Sequence, residues 1–446
     1  MLPCPLPVAE DAKPQLSRSI RLGDAVAVTI NGIIGGGIFG LPAPVFALVG
    51  NYSLFSFAAC GVAVSLVALA FAEVASRFSG TGGPYLYARE AYGSHAGFAV
   101  GWLTLLARLT AFAANCNLLL DYLGAFHGPL ASGWQRALFI AILVGSLVAI
   151  NCRGVRETAV TGNALVVGKL APLVLFALAG LFFMEPGRFE FVRAPGYDAF
   201  AKSVMLSVYA FTGFEMLLIP GGEVKQPQRN LPLALLAGMS VVVTLYLLIQ
   251  AVCAGTLPGL TASARPLADA AAIFLGTWGA AMITAGLAIS IVGNLNVLIL
   301  ASSRLVYAMA ESGELPATLS QVHPRFHTPV RAILTASAVM LALALSGTFI
   351  YLLTISTLAR LSTYVVVCSA LPVLRRRKAP PAHFRAPWGD AIAVAGCAVS
   401  LWLFTGSNWG EVRDTALALC AGWLVYALSR HSRAWFDRAN SSSPRQ

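Results

Sequence analysis

Gly32-Ile33-Ile34-Gly35-Gly36-Gly37-Ile38-Phe39-Gly40 puts five glycines in nine residues, in the middle of an apolar run from about 24 to 48. A single glycine in a membrane helix is ordinarily a packing notch. Three in succession favour local unwinding, since each lowers helix stability by roughly 1 kcal/mol relative to Ala. A second interruption, Tyr209-Ala210-Phe211-Thr212-Gly213-Phe214-Glu215 followed by Pro220-Gly221-Gly222, lies in another apolar run near 200–220. In a bilayer, unwound backbone survives only where it lines a site, because nothing in the lipid satisfies its N–H and C=O groups.

The surrounding chain places these breaks inside a membrane. Of 446 residues, 57% are hydrophobic and 11% charged, with a mean hydropathy of +0.75; a soluble domain carries about 25% charged residues. Disordered, fibrous and disulfide-stapled secreted proteins are excluded, and the pattern is that of an all-α polytopic membrane protein. Apolar runs separated by charged or Pro/Gly-rich breaks give twelve segments, near 24–48, 53–76, 97–123, 134–151, 158–184, 200–220, 231–257, 274–303, 330–347, 349–374, 388–406 and 410–430. With the N-terminus in the cytoplasm, twenty-one Lys and Arg fall in inside segments, six outside and three within spans. The positive-inside rule then places both termini in the cytoplasm. This asymmetry accounts for the net charge of +11 without a nucleic-acid face, and Arg375–Lys378 reads as a topology anchor. The eight cysteines show no CxxC spacing, so neither a metal site nor a disulfide framework is indicated. The first residues lack the basic region and short apolar core of a cleaved signal, so the first span is expected to persist. Ser441–Ser443 and Pro444 read as a short disordered tail.

Segments 1 and 6 open two sets of five helices, so the interruptions occupy corresponding positions. The expected organisation is a cytoplasmic tail (1–23), a first inverted repeat (24–199), a second (200–374), helices 11 and 12 (375–430) and a cytoplasmic tail (431–446). Paired broken helices at mid-membrane are the sequence sign of a transporter built from inverted repeats. The amino end of one half-helix offers N–H groups to a carboxylate. The opposing half-helix leaves carbonyls suited to an ammonium, so a zwitterion satisfies both.

Several motifs carry a family resemblance. Gly35-Gly36-Gly37-Ile38-Phe39 resembles the G-[ST]-G-[IV]-F break in helix 1 of the amino acid–polyamine–organocation superfamily. Gly82-Gly83-Pro84-Tyr85 with Arg89-Glu90 is similar to its loop after helix 2. Phe211-Thr212-Gly213-Phe214-Glu215, then Lys225, Pro227, Arg229, Asn230 and Pro232, resembles its helix 6 break and following loop. Ser303-Arg304 through Gly313-Glu314-Leu315-Pro316 is similar to its loop after helix 8. The similarity spans roughly residues 17–430, and the departure is Gly36, where many members carry Ser or Thr. The resemblance implies a leucine-transporter-like fold, ten core helices plus two peripheral ones. It also implies a carboxylate on the N–H groups of Gly36 and Gly37 beside Gly35. The α-ammonium would meet the carbonyls of Ile33, Phe211 and Thr212 near Gly213, with Tyr209 as an aromatic gate.

Ionisable side chains inside spans are functional candidates by default, and four stand out: Arg108, Lys169, Glu215 and Arg360. Glu73 and Asp24, at span ends, are expected to snorkel to the interface. Lys169 lies eleven residues from Thr158, about 16 Å of helix at 1.5 Å per residue and too deep to snorkel easily. Its position resembles that of the helix 5 lysine of sodium-independent relatives, whose ammonium takes the place of sodium; a structural ion pair is the alternative, and proton coupling and permanent charge both stay open. Glu215 is read either as a gating or protonating carboxylate or as a fixed partner of Arg108 or Arg360. Arg108 and Arg360 resemble arginines of the light-chain exchangers, where the helix 10 position meets an anionic side chain. One carboxylate against three buried cations disfavours polyamines and dicationic substrates and leaves neutral and acidic amino acids open.

An ion channel would need a pore-lining repeat, which is not visible. A membrane enzyme would need a catalytic constellation. The six histidines fall in loops or the tail, and HExxH, GxSxG, P-loop and CxxCH motifs are missing. No enzyme activity, cofactor or metal is expected. The reading is a sodium-independent secondary transporter of neutral or acidic amino acids in the bacterial inner (plasma) membrane, proton-coupled or exchanging. An obligate exchanger of acidic substrates and a non-transporting sensor are the alternatives. The lipid bilayer and the amino acid are the expected partners, protons a further one; the oligomeric state stays open.

Overall fold

The structure, a computed structural model, describes residues 20–78, 83–125, 128–130, 132–153, 159–191, 194–216, 224–326, 328–377 and 381–441. Most of the N-terminal tail, Gly82, Pro220-Gly221-Gly222, Lys378 and 442–446 lie outside the described residues. Among the described residues the regular elements are helices, with one isolated bridge between Ile20 and Val224. Segment 1 begins with two helices, α1 (Leu22–Ile33) and α2 (Gly37–Gly40), separated where Ile34 turns extended (φ −73°, ψ 93°). Then come α3 (Pro42–Val49), α4 (Ser53–Ala75), α5 (Pro84–Tyr92), α6 (Ser94–Gly124), α7 (Gly133–Arg153) and α8 (Ala159–Leu181). The second half holds α9 (Tyr197–Phe211), α10 (Pro227–Thr256), α11 (Pro266–Glu311), α12 (Val330–Ser346) and α13 (Phe349–Arg376), followed by α14 (Gly389–Phe404) and α15 (Trp409–Ser441). α11 is interrupted at Gly276, where φ is +63°.

Among the described residues, seven helical stretches are long and apolar enough to cross a membrane, and α14 with the first part of α15, bent by 116°, adds an eighth. Gly168–Leu181 and Val330–Ser346 are shorter apolar helices. α6 and α13 are buried on nearly all faces and pack along each other at the centre, as expected of helices that are apolar all round. α1 lies along α10, while α4 packs on α9 and α10.

The two breaks meet. α9 stops at Phe211; Thr212 is extended (ψ 157°) and Gly213 has φ +108°. A Cβ at Gly213 would strike the carbonyl oxygen of Gly32. Only glycine allows both the backbone angle and this approach, so the sequence interruptions become one junction in space.

Glu73 does not snorkel. Its carboxylate is fully buried and takes two hydrogen bonds from Arg375, at 2.8 and 2.7 Å, one from Arg77 at 3.2 Å and one from Ala386 N at 2.9 Å. A buried carboxylate persists only when so compensated, and this one ties α4 to the end of α13 and the entry to α14. Arg375 therefore belongs to a tertiary ion network, beyond the anchoring expected of the basic run. Asp24 caps its own helix, accepting from Arg21 N at 3.0 Å.

Candidate functional site

At the junction of the breaks lies a cavity with about 40 Å³ of water-accessible space. One water needs about 10–15 Å³ by this measure, so this space is small. Gly32, Ile33, Gly35, Gly36 and Gly37 form one wall, and Tyr209, Thr212 and Gly213 another. Ala111 and Asn115 of α6, Asn294 and Leu298 of α11 and Arg360 of α13 close it.

The N–H groups of Gly36 and Gly37 have no acceptor among the described residues; backbone bonding resumes with Phe39 N and Gly40 N to Gly36 O. These donors are the part of the break that can receive a carboxylate. Packing leaves no room for side chains. A Cβ at Gly37 would lie 2.8 Å from Ala210 Cα and 3.1 Å from Tyr209 Cδ1. A Cβ at Gly36 would strike Asn115 Oδ1, so the space of the relatives' Ser or Thr is filled here from α6.

Tyr209 donates to Asn115 Oδ1 at 3.2 Å, with Ala111 O at 3.4 Å, and its ring meets Phe349 edge-on. Asn115 Nδ2 in turn donates to Asn294 Oδ1 at 3.2 Å. Tyr246 Oη donates to Ala210 O at 3.1 Å and reaches Ile33 O at 3.4 Å, so the Ile33 carbonyl already has a protein donor nearby. Phe211 turns its side chain away, against Phe57 and Tyr246.

The charged residues separate into three environments. Lys169 is buried off the cavity, and its ammonium donates to Asn31 O at 2.7 Å and Ile34 O at 2.8 Å, the carbonyls freed where α1 ends. Ser290 Oγ of α11 reaches the same Ile34 O at 3.5 Å. Arg360 lines the cavity and forms a buried ion pair with Glu215, whose Oε2 accepts from Gly213 N at 3.0 Å. Arg108 is buried, donates to Ala301 O at 3.1 Å and does not line the cavity. Of the twelve residues singled out from sequence, eight thus converge on the cavity: Ile33, Gly35, Gly36, Gly37, Tyr209, Thr212, Gly213 and Arg360. Lys169 and Glu215 brace the breaks, whereas Phe211 and Arg108 stand apart. Asn115, Asn294 and Tyr246 were missed. Their signal was a polar amide or phenol within an apolar run, weaker than a charge and shared with Asn117, which bonds Ala113 O and Ala344 O.

A family model described as "Amino acid permease" matches residues 20–425. The chain belongs to the amino acid permease family. This multi-span membrane family carries the leucine-transporter-like fold, and the chain is accordingly a multi-pass integral membrane protein, an amino acid transporter and not an enzyme. The serine/threonine exchanger SteT of Bacillus subtilis is 30% identical over 91% of this chain and 95% of its own length. The methylthioribose transporter of the same organism is 28% identical, covering 94% and 95%. Its branched-chain amino acid permease BcaP is 25% identical, covering 95% and 96%.

Proposed function

We propose that this permease carries neutral or acidic amino acids across the bacterial plasma membrane without sodium, through twelve spans with both termini in the cytoplasm. The observation that carries the sodium-independent reading is the Lys169 ammonium on Asn31 O and Ile34 O, with Ser290 Oγ beside them. Carbonyls at a helix break are hard oxygen ligands that would otherwise need a cation. A fixed ammonium supplies that cation, so α8 is tied to the break in this conformation and no sodium is recruited.

The zwitterion lies at the junction, its carboxylate toward Gly36 and Gly37 N–H and its ammonium toward carbonyls of the α9 break. Thr212 and Gly213 form the opposite wall, and Tyr209 gates it from the α9 side. Because Glu215 neutralises Arg360, the cavity wall carries no bare charge there, which favours neutral side chains over acidic ones. Transport is driven by exchange or by protons. SteT is named as an exchanger, and a likeness to it supports exchange as the first mode to test. Purified protein in liposomes, screened by counterflow with a panel of amino acids, tests the reading. Flux that persists when choline replaces sodium is expected, and a strict sodium requirement overturns it. An imposed proton gradient that accelerates uptake separates symport from exchange, and ligand binding without flux identifies a sensor.

A further inference from the structure

We infer that Asn294 is a specificity-determining residue that donates a side-chain hydrogen bond to the substrate carboxylate, held in that orientation by a relay through Asn115 and Tyr209. The inference rests on the reading of the cavity as an amino acid site and deepens it.

The relay has a direction. The phenol of Tyr209 lies 3.2 Å from Asn115 Oδ1 and donates to it. With its oxygen so engaged, Asn115 presents its amide nitrogen to Asn294 and donates to Oδ1 at 3.2 Å. An amide has one oxygen and one NH₂ group, so fixing the oxygen of Asn294 on Asn115 turns its NH₂ the other way. That nitrogen faces the helix 1 break, 3.8 Å from where a Cβ of Gly35 would stand, and Asn294 is part of the cavity wall. No protein acceptor meets this nitrogen among the described residues. Three helices are thus used to aim one neutral donor into the site: α9 supplies Tyr209, α6 supplies Asn115 and α11 supplies Asn294.

A donor with no acceptor role cannot serve an ammonium; it suits an anion. The same packing explains why it comes from α11. Asn115 Oδ1 stands where a Gly36 side chain would begin, so a hydroxyl on the first break is excluded, and the amide replaces it from across the cavity. The acceptor it selects is a carboxylate, whose second oxygen is left for the N–H groups of Gly36 and Gly37. A hydrogen bond to a charged group corresponds to about 10- to 100-fold in affinity.

The test compares L-alanine, L-serine, L-threonine and L-leucine with their α-carboxamides, as ligands of the full-length protein in detergent and as counterflow substrates in liposomes. Asn294→Asp keeps the shape and replaces the donor by an anion. It is expected to weaken amino acid binding at least tenfold while changing carboxamide binding by less than threefold, so the preference of the wild type for the carboxylate collapses. Asn115→Asp, which cannot donate to Asn294 when ionised, is expected to move the same ratio in the same direction. Equal loss for both ligand series in Asn294→Asp, or an unchanged ratio, overturns the inference. Asn294→Ser provides the same ratio should the aspartate variant not yield monodisperse protein. A wild type that transports amino acids but binds carboxamides equally well also overturns it, leaving the transport reading intact. A wild type that binds none of the eight compounds removes the neutral-amino-acid reading with it.

Discussion

Replacing Lys169 by methionine keeps the length and apolar stem of the side chain and deletes the ammonium. Two hydrogen bonds from a charged donor are lost, to Asn31 O at 2.7 Å and Ile34 O at 2.8 Å, each worth about 1.5–3 kcal/mol. Ile34 O keeps Ser290 Oγ at 3.5 Å as a weak substitute; Asn31 O keeps none among the described residues. Burying an ammonium itself carries a desolvation penalty that the substitution removes, so the net loss is set at about 3 kcal/mol. Because Lys169 joins α8 to the end of α1 and does not line the cavity, this loss falls on whichever conformation needs that tie. A 3 kcal/mol bias changes a two-state equilibrium by roughly 150-fold. The expected result is an initial counterflow rate at least tenfold below wild type, with ligand affinity within about threefold in detergent. The matching measurement is proteoliposome uptake at saturating substrate beside an equilibrium binding curve on the same preparation. Wild-type rates in Lys169→Met would refute the reasoning, as would a loss of affinity as large as the loss of rate.

Three further perturbations test other parts of the site. Gly36→Ser alone is expected to abolish binding, since its Cβ meets Asn115 Oδ1 and stands 3.0 Å from Leu118 Cδ2; adding Asn115→Ala should restore part of it, and a double variant no better than the single one contradicts this packing. Arg360→Ala leaves Glu215 buried without its partner, a loss of about 3–5 kcal/mol, seen as a lower thermal midpoint; the paired change Arg360→Met with Glu215→Gln should recover most of that stability, and a change in ranking of aspartate against serine would show that Arg360 also reads the substrate. Outside the spans, burial holds the Glu314 carboxyl above the ordinary glutamate value of 4.5 against the pull of Tyr85, Arg89 and Arg430, with Tyr85 donating to its Oε1 at 3.0 Å. A raised folded-state value means this contribution to stability is present at low pH and is lost as pH rises through it. Glu314→Gln should therefore gain stability over wild type progressively above about pH 4.5, read by thermal unfolding across pH 4–8, and a gap that narrows with rising pH contradicts the assignment.

The membrane class, the positions of most apolar helices and the existence of two breaks were legible in the chain itself, because each depends on local composition. A lipid environment imposes long apolar runs, and three adjacent glycines weaken any helix wherever they occur. Lys169 was legible for a similar reason, since depth along a helix follows from counting residues. What folding alone decided was which side chains meet. That Gly213 must be glycine because Gly32 O lies against it, that Asn115 fills the space above Gly36, and that Glu215 pairs with Arg360 while Arg108 stands apart all depend on α6, α9, α11 and α13 approaching one another. Glu73 shows the same division: its place at a span end suggested an exposed head group, and residues some three hundred positions away enclosed it. A sequence records how polar a residue is and how far it sits from its neighbours in the chain. Neutral amides at the site carry no mark of their own, because an Asn in an apolar run has the same local sequence whether it faces a ligand or a backbone carbonyl. Only close packing of distant helices, with its demand that every buried donor find an acceptor, tells the two apart.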